Sequence, residues 1–213
     1  MKKISIGAQG GLDHLQLTEQ KDPQPAAGEV LVRWHATSLN YHDYLVGVGG
    51  IPVPEGRVPM SDGAGEVTAV GEGVTAWKSG DKVMSLFFPN WLDGRPTPAK
   101  TGAISGETVD GFLTEMSCVA AQSLTRIPAG FSYAEAATLP CAALTAWRAL
   151  VVEGQLKMGD KVLIEGTGGM SIFALQLALA AGAEVYATTS SSEKADRLKS
   201  MGVKDVVNYR EEE

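Results

Sequence analysis

The sequence predicts an α/β protein in two parts, a β-rich part over residues 1–130 and a parallel βαβαβ part over residues 161–213. Short runs of alternating polarity, separated by turns rich in glycine, fill the first part and are typical of a β-barrel or a sandwich. After residue 160 strands and helices alternate strictly, which indicates a parallel sheet. Residues 131–160 are predicted to be a helical connector between the two parts.

Four strands are predicted in the β-rich part. In residues 30–35 every second side chain is a large apolar one (Val30, Val32 and Trp34), so these three are expected to be buried on one face. The other predicted strands cover residues 65–70, 82–87 and 112–119. Residues 89–110 are expected to form a long ordered loop in which Trp91 and Leu92 are buried.

The connector begins with a predicted capping box. Ser132 precedes a helical pattern and Glu135 follows three residues later, so each side chain is expected to satisfy a backbone amide of the other. Alanine-rich sequence then runs to Leu150, is interrupted by Pro140 and stops at Gly154.

The second part reads as three strands and two helices. The strands are predicted at residues 162–165, 184–188 and 205–209, and the helices at residues 170–181 and 192–201. The first helix carries apolar residues around most of its circumference, so it is expected to be buried on more than one side.

Composition and charge exclude several classes of protein. With 18 Lys and Arg against 25 Asp and Glu the formal net charge is −7, which argues against a generic nucleic-acid binder. The apolar stretch 172–181 is too short to cross a bilayer, and no secretory leader is recognisable, so no membrane association and a cytoplasmic location are predicted. Two cysteines, Cys118 and Cys141, are too few for a disulfide framework.

A glycine-rich turn lies between the first strand and the first helix of the second part. Gly166 permits the tight turn, Gly168 lets the backbone approach a pyrophosphate, and Gly169 and Met170 open a helix whose free amides face the anion. The turn therefore predicts a dinucleotide site. The alternative is a strand-to-helix turn that binds no ligand.

The end of the second strand indicates which dinucleotide fits. An NAD site has an acidic residue there, whereas this chain has hydroxyl side chains over residues 188–192, including Ser190, and then Lys194. Short hydroxyls and a cation suit a 2′-phosphate, so NADPH is predicted in preference to NADH. In the alternative interpretation these serines only cap the second helix.

Several segments together resemble one family: residues 59–74, residues 80–83, residues 139–147 and the run Asn208-Tyr209-Arg210. The chain resembles the medium-chain dehydrogenase/reductase superfamily, in particular its zinc-independent quinone oxidoreductase-like branch, which includes zinc-type alcohol dehydrogenase-like proteins. The resemblance implies a GroES-like β-barrel followed by a Rossmann domain, and reduction of a substrate in the cleft between them by NAD(P)H.

The resemblance also implies that the chain binds no zinc. Where zinc-using relatives have a Cys, a His and a second Cys, this chain has Asn40, Ser61 and Cys141. One thiolate cannot hold a catalytic zinc ion, which takes three protein ligands and a water.

Without a metal ion, hydrogen-bond donors or a proton must stabilise the developing oxyanion. The segment Asn40-Tyr41-His42-Asp43 is the predicted source, so Asn40, His42 and Asp43 are the candidate catalytic residues, with Asn40 as amide donor and His42 as general acid.

The resemblance further implies that Thr145 faces the nicotinamide and that Ser190, Lys194 and Tyr209 hold the adenosine phosphate. For Thr145 the alternative is a hydroxyl bonded to its own helix backbone.

The second part has room for βαβαβ only, which is the first half of a Rossmann domain. A fragment or a partial gene product is therefore expected. Its parent is predicted to be a reductase of quinones, enones or related carbonyls, with a small molecule as its partner and a homodimer as its full-length form. Two alternatives remain, an alcohol dehydrogenase-like activity and a truncated non-catalytic module that binds nucleotide or serves a structural role.

Overall fold

The computed structural model describes residues 1–211, and the chain divides between Cys141 and Ala142 into two compact units. Unit 1 precedes this point and unit 2 follows it. The dividing point lies inside the predicted connector. Each unit is described by itself below.

Unit 1 is built on an antiparallel sheet with the strand order β6-β3-β4-β5-β7. The bounds are β3 Glu29–Ser38, β4 Asp62–Val70, β5 Lys82–Ser85, β6 Met116–Ala120 and β7 Leu124–Arg126. The β-rich first part is thus confirmed, although Phe112 to Glu115 lie before β6 rather than within the strand predicted there.

Strand β3 buries Val30, Val32 and Trp34 as the alternation predicts. Leu31 is also buried, at 6% exposure, although it lies between two inward-facing residues. The pairing of β3 with β4 shifts between Leu31 and Val32 and again between Trp34 and Ala36, and such bulges interrupt the regular alternation of a strand. The core around β3 also contains Val67, Val83, Phe112 and Leu124.

A separate hairpin of β1 (Lys2–Ile6) and β2 (Leu15–Glu19) precedes this sheet and was not predicted. All five residues of β2 are exposed, including the alternating Leu15 and Leu17, so this strand has no buried face.

The helices of unit 1 are short: α1 Tyr41–Gly47, α2 Pro98–Thr101 and α3 Tyr133–Ala136. Helix α2 lies in the predicted loop 89–110. There Trp91 packs against Phe88, with ring centroids 5.8 Å apart, but the expected burial of Leu92 is wrong, because that side chain is 53% exposed.

The capping box of α3 is confirmed, with Ser132 N donating to Glu135 Oε2 at 2.9 Å and Glu135 N donating to Ser132 Oγ at 3.3 Å. Helical turns then continue to Glu153, in part wide π-helical turns at Leu139–Ala143 and Arg148–Glu153 that flank α4 (Leu144–Trp147). The predicted interruption at Pro140 falls in the first π-helical segment.

Unit 2 is the predicted parallel βαβαβ arrangement. Its strands are β8 Lys161–Glu165, β9 Glu184–Thr189 and β10 Asp205–Asn208, in the order β10-β9-β8, with helices α5 Gly169–Ala180 and α6 Ser192–Ser200 between them. Its core centres on Leu175 of α5 and Leu198 of α6, which are almost fully buried. Over residues 1–211 no helix combines the length and the apolar character needed to span a bilayer.

Candidate functional site

The segment at the start of α1 is held by its own polar groups. Asn40 precedes the helix in an extended conformation, and its backbone amide donates to Asp43 Oδ2 at 2.8 Å. Asp43 Oδ1 accepts from the backbone amide of Ser61 at 2.8 Å. The buried carboxylate of Asp43 therefore fixes α1 against the start of β4 rather than facing a ligand.

The amide side chain of Asn40 has both hydrogens engaged. Its Nδ2 donates to Ser61 Oγ at 3.1 Å and to Asp62 Oδ2 at 2.9 Å. A substrate oxygen would have to displace one of these acceptors, and the longer bond, to Ser61, is the weaker of the two.

Asp62 is a fully buried carboxyl group beside this amide. Its Oδ1 has no hydrogen-bond partner in the described part of the chain. Burial raises the pKa of Asp62 from 3.8 to about 7; the hydrogen bond from Asn40 opposes this shift, and the negative charge of Asp43 adds to it. Asp62 is thus an acid that carries a proton at neutral pH for part of the time.

His42 lies between two carboxylates. Its Nε2 is 2.7 Å from Glu107 Oε2, and its Nδ1 is 3.7 Å from Asp43 Oδ1. Nδ1 is buried and has no hydrogen-bond partner among residues 1–211. The ring also meets the edge of Phe87, at a centroid distance of 5.4 Å. His42 can therefore hold a proton at Nε2 against Glu107, which itself lies in a tight turn that follows α2.

At the three positions where, by the resemblance, zinc-using relatives have their metal ligands, the side chains of this chain are not ones that zinc prefers. They are the amide of Asn40, the hydroxyl of Ser61 and the thiol of Cys141. Burial, together with the charges of Asp62 and Asp43, raises the pKa of Cys141 to about 12 in the chain without a metal ion. Zinc takes thiolate, imidazole or carboxylate ligands. No group of three or more His, Cys, Asp or Glu side chains within residues 1–211 is arranged to hold a metal ion.

The glycine turn of unit 2 leaves open space at the N-terminus of α5. Gly166 has a positive φ of 75°, which favours glycine, and α5 begins directly after Gly168. A Cβ built on Gly166, Gly168 or Gly169 would meet no atom of the chain within 4 Å. This open space lies over the N-terminus of a twelve-residue helix, where backbone amides and the helix dipole favour an anion. Met170, in the first turn, is 43% exposed.

The predicted phosphate-holding residues come together at one end of the sheet of unit 2. Ser190 directly follows β9 and Tyr209 directly follows β10, and Tyr209 N donates to Thr189 O at 3.1 Å. Lys194 is exposed in the first turn of α6, where its backbone amide donates to Ser191 Oγ at 3.4 Å. The capping alternative thus applies to Ser191. Thr145 lies exposed on α4.

Two residues of unit 1 that contact the predicted site residues, Asp62 and Glu107, were not predicted as functional candidates. Glu107 is 65 residues from His42 in the sequence, so no local pattern joins them. Asp62 was predicted only as part of a family segment, although an acidic residue directly before the small residues Gly63-Ala64-Gly65 of a strand is a signal that could have identified it.

Comparisons with known proteins agree with this architecture. The sequence model of the alcohol dehydrogenase GroES-like domain matches residues 26–129, and that of the zinc-binding dehydrogenase family matches residues 169–213. A zinc-type alcohol dehydrogenase-like protein of Schizosaccharomyces pombe is 46% identical over 205 residues, which make up 94% of this chain and 59% of that protein.

Two crystal structures share the fold. One, described as an alcohol dehydrogenase from Sinorhizobium meliloti 1021, is 41% identical with a TM-score of 0.90, and the match covers 100% of this chain and 63% of that one. The other, Escherichia coli quinone oxidoreductase complexed with NADPH, is 26% identical with a TM-score of 0.80, over 100% of this chain and 60% of that one. The chain therefore spans about three fifths of the length of each of these proteins. The two family matches, the yeast relative and the shared fold together show that the chain belongs to the medium-chain dehydrogenase/reductase superfamily.

Proposed function

We propose that this chain supplies two parts of an NADPH-dependent oxidoreductase. One is the group of substrate-binding side chains in unit 1, Asn40, His42 and Asp43, and the other is the phosphate-binding glycine turn of unit 2. The reaction is the transfer of a hydride to a quinone, an enone or a related carbonyl compound without a bound metal ion. One observation carries this proposal. The glycine turn leaves open space at the N-terminus of α5, and the neighbouring strand β9 ends in residues with hydroxyl side chains. A cytoplasmic location and homodimer formation stay predictions.

The residues proposed to hold NADPH all belong to unit 2. Backbone amides at Gly168, Gly169 and Met170 would face the pyrophosphate. The side chains of Ser190, Lys194 and Tyr209 would hold the 2′-phosphate of the adenosine half, and Thr145 would face the nicotinamide. When bound, NADPH supplies the hydride.

On the substrate side, the neutral donors of unit 1 take the place of a Lewis acid. Asn40 would donate to the substrate oxygen after exchange of its bond to Ser61 Oγ. His42 would give the proton from Nε2 to the substrate oxygen in exchange for its contact with Glu107, and Asp43 holds the segment in place. Burial raises the pKa of Cys141 to about 12, so the neutral thiol adds no negative charge to these donors.

Nucleotide preference tests the cofactor assignment. We expect the chain to bind NADPH more tightly than NADH, and Lys194→Ala to weaken NADPH binding about tenfold while leaving NADH binding unchanged, because the lysine meets only the 2′-phosphate. Fluorescence titration of both nucleotides measures this. Lys199→Ala, an equally exposed lysine in the last turn of α6, is the matched control. Equal losses for NADPH and NADH would contradict the assignment.

Turnover tests the proton donor. We expect His42→Ala to lower the rate of NADPH oxidation with a quinone or enone about a hundredfold and to change its dependence on pH, because a positioned general acid contributes about this much. The control is His14→Ala, since His14 is exposed in a short 3₁₀ turn. An unchanged rate and pH profile would exclude His42 as the donor. The metal-free proposal further requires that a strong chelator leaves the rate unaltered.

A further inference from the structure

A carboxylate lies close to the carboxyl end of β9 although no acidic residue ends that strand. Ser192 Oγ donates to the carboxylate of Glu211, 3.1 Å from Oε2 and 3.3 Å from Oε1. Ser192 is the first residue of α6, which begins directly after the short turn that follows β9. The acidic group therefore comes from another part of the chain.

The turn after β10 brings Glu211 to this place. Strands β9 and β10 run parallel, with Asn208 opposite Thr189. Beyond β10 the chain turns back, and Glu211 N donates to Asn208 O at 2.9 Å. The turn brings the side chain of Glu211 to Ser192, the first residue of α6.

We propose that Glu211 is a specificity-determining residue for the nucleotide. In dinucleotide-binding folds an acid at the carboxyl end of the second strand accepts a hydrogen bond from the free 2′-hydroxyl of the adenosine ribose. The same carboxylate repels a 2′-phosphate. This inference rests on the proposed function, in which the glycine turn binds an adenine dinucleotide.

The strength of the preference for NADPH then depends on the balance between two opposite charges that act on the 2′-phosphate. Lys194, in the first turn of α6, attracts the 2′-phosphate, and Glu211, bonded to the first residue of the same helix, opposes it. Glu211 also occupies the hydroxyl of Ser192, one of the side-chain donors that follow β9. A 2′-phosphate that used this donor would have to displace the carboxylate.

The proposal is tested by the binding of the adenosine halves of NADH and NADPH to this chain and its variants. The ligands are ADP-ribose and its 2′-phosphorylated form, titrated by calorimetry. We expect Glu211→Gln to increase affinity for the phosphorylated ligand about fivefold and to decrease affinity for ADP-ribose about twofold, because it removes one negative charge and one strong acceptor. The gain for the phosphorylated ligand should shrink at high salt.

Glu193→Gln is the matched control, because it removes the same charge one residue away from Ser192 on exposed α6 surface. An equal change in both variants would overturn the assignment to Glu211 and indicate a general charge effect. Binding of both ligands with an unchanged ratio in Glu211→Gln would overturn this inference alone. Failure of the unsubstituted chain to bind either ligand would overturn it together with the proposed cofactor.

Discussion

Asp62→Asn is expected to flatten the pH dependence of the stability of unit 1 between about pH 4 and pH 7. The native carboxyl keeps its proton up to a pKa of about 7, whereas in the unfolded chain the group ionises around its ordinary value of 3.8. Between these values the native state binds the extra proton, so the free energy of unfolding falls as the pH rises. The contribution of Asp62 is fully present below the unfolded pKa and is lost as the pH rises through the folded pKa.

The size of this effect follows from the shift of the pKa. About three pKa units correspond to about 4 kcal/mol between the two ends of the window. Asparagine has nearly the shape of the protonated acid and still accepts from Asn40 Nδ2 through its carbonyl oxygen, so the variant should be the more stable protein at pH 8. Urea unfolding at several pH values, followed by tryptophan fluorescence, measures this. Asp13→Asn, at an exposed acid, is the control, and parallel pH profiles for Asp62→Asn and the unsubstituted chain would contradict the prediction.

Gly168→Val is expected to weaken NADPH binding at least about a hundredfold, or about 2.7 kcal/mol, while unit 2 stays folded. A Cβ at this position meets no atom of the chain, and the backbone angles, φ −72° and ψ 171°, are open to any residue. The added side chain would fill the space over the N-terminus of α5 that the pyrophosphate needs. The cost to stability is that of a poor helix cap, about 1 kcal/mol.

Two further variants separate ligand exclusion from damage to the helix. Gly168→Ala adds less volume and should lose less affinity than Gly168→Val. Ala181→Val places the same bulk at the exposed opposite end of α5 and should leave binding unchanged. Circular dichroism melting checks that all three variants fold. Undiminished NADPH binding by Gly168→Val would show that the turn does not receive the pyrophosphate.

The elements of unit 2 were predictable because their signals are local. A strand, a glycine turn and a helix follow each other within twenty residues, and Gly166 and Gly168 lie in the turn while Gly169 opens the helix, as the sequence predicts. The apolar positions that alternate in β3 were equally readable, since Val30, Val32 and Trp34 face one core. The burial of Leu31 was not readable, because it departs from the alternation of the strand, whose pairing with β4 contains two register shifts.

The polar cluster of unit 1 was predictable only in part. The sequence identified Asn40, His42 and Asp43 as a group. It did not indicate that Asn40 and Asp43 form hydrogen bonds with Ser61 and Asp62 at the start of β4. The contact of His42 with Glu107 depends on how a long loop returns to the sheet, which no periodic pattern records. Glu211 was likewise unpredictable, because its position depends on the parallel register of β10 with β9.

The N-terminal hairpin has a consequence for local opening. Among residues 1–211, strand β2 pairs with β1 alone and none of its five side chains is buried, whereas β1 also bonds through Ile4 N to Leu113 O. Detaching β2 therefore exposes little apolar surface, chiefly that of Leu15, which is 36% exposed, and breaks the ladder of hydrogen bonds to β1. The backbone amides of β2 therefore belong to a unit that opens locally at a low free energy. They can exchange with solvent while the amides of the five-stranded sheet, which contains the buried Asp62, stay protected from hydrogen exchange.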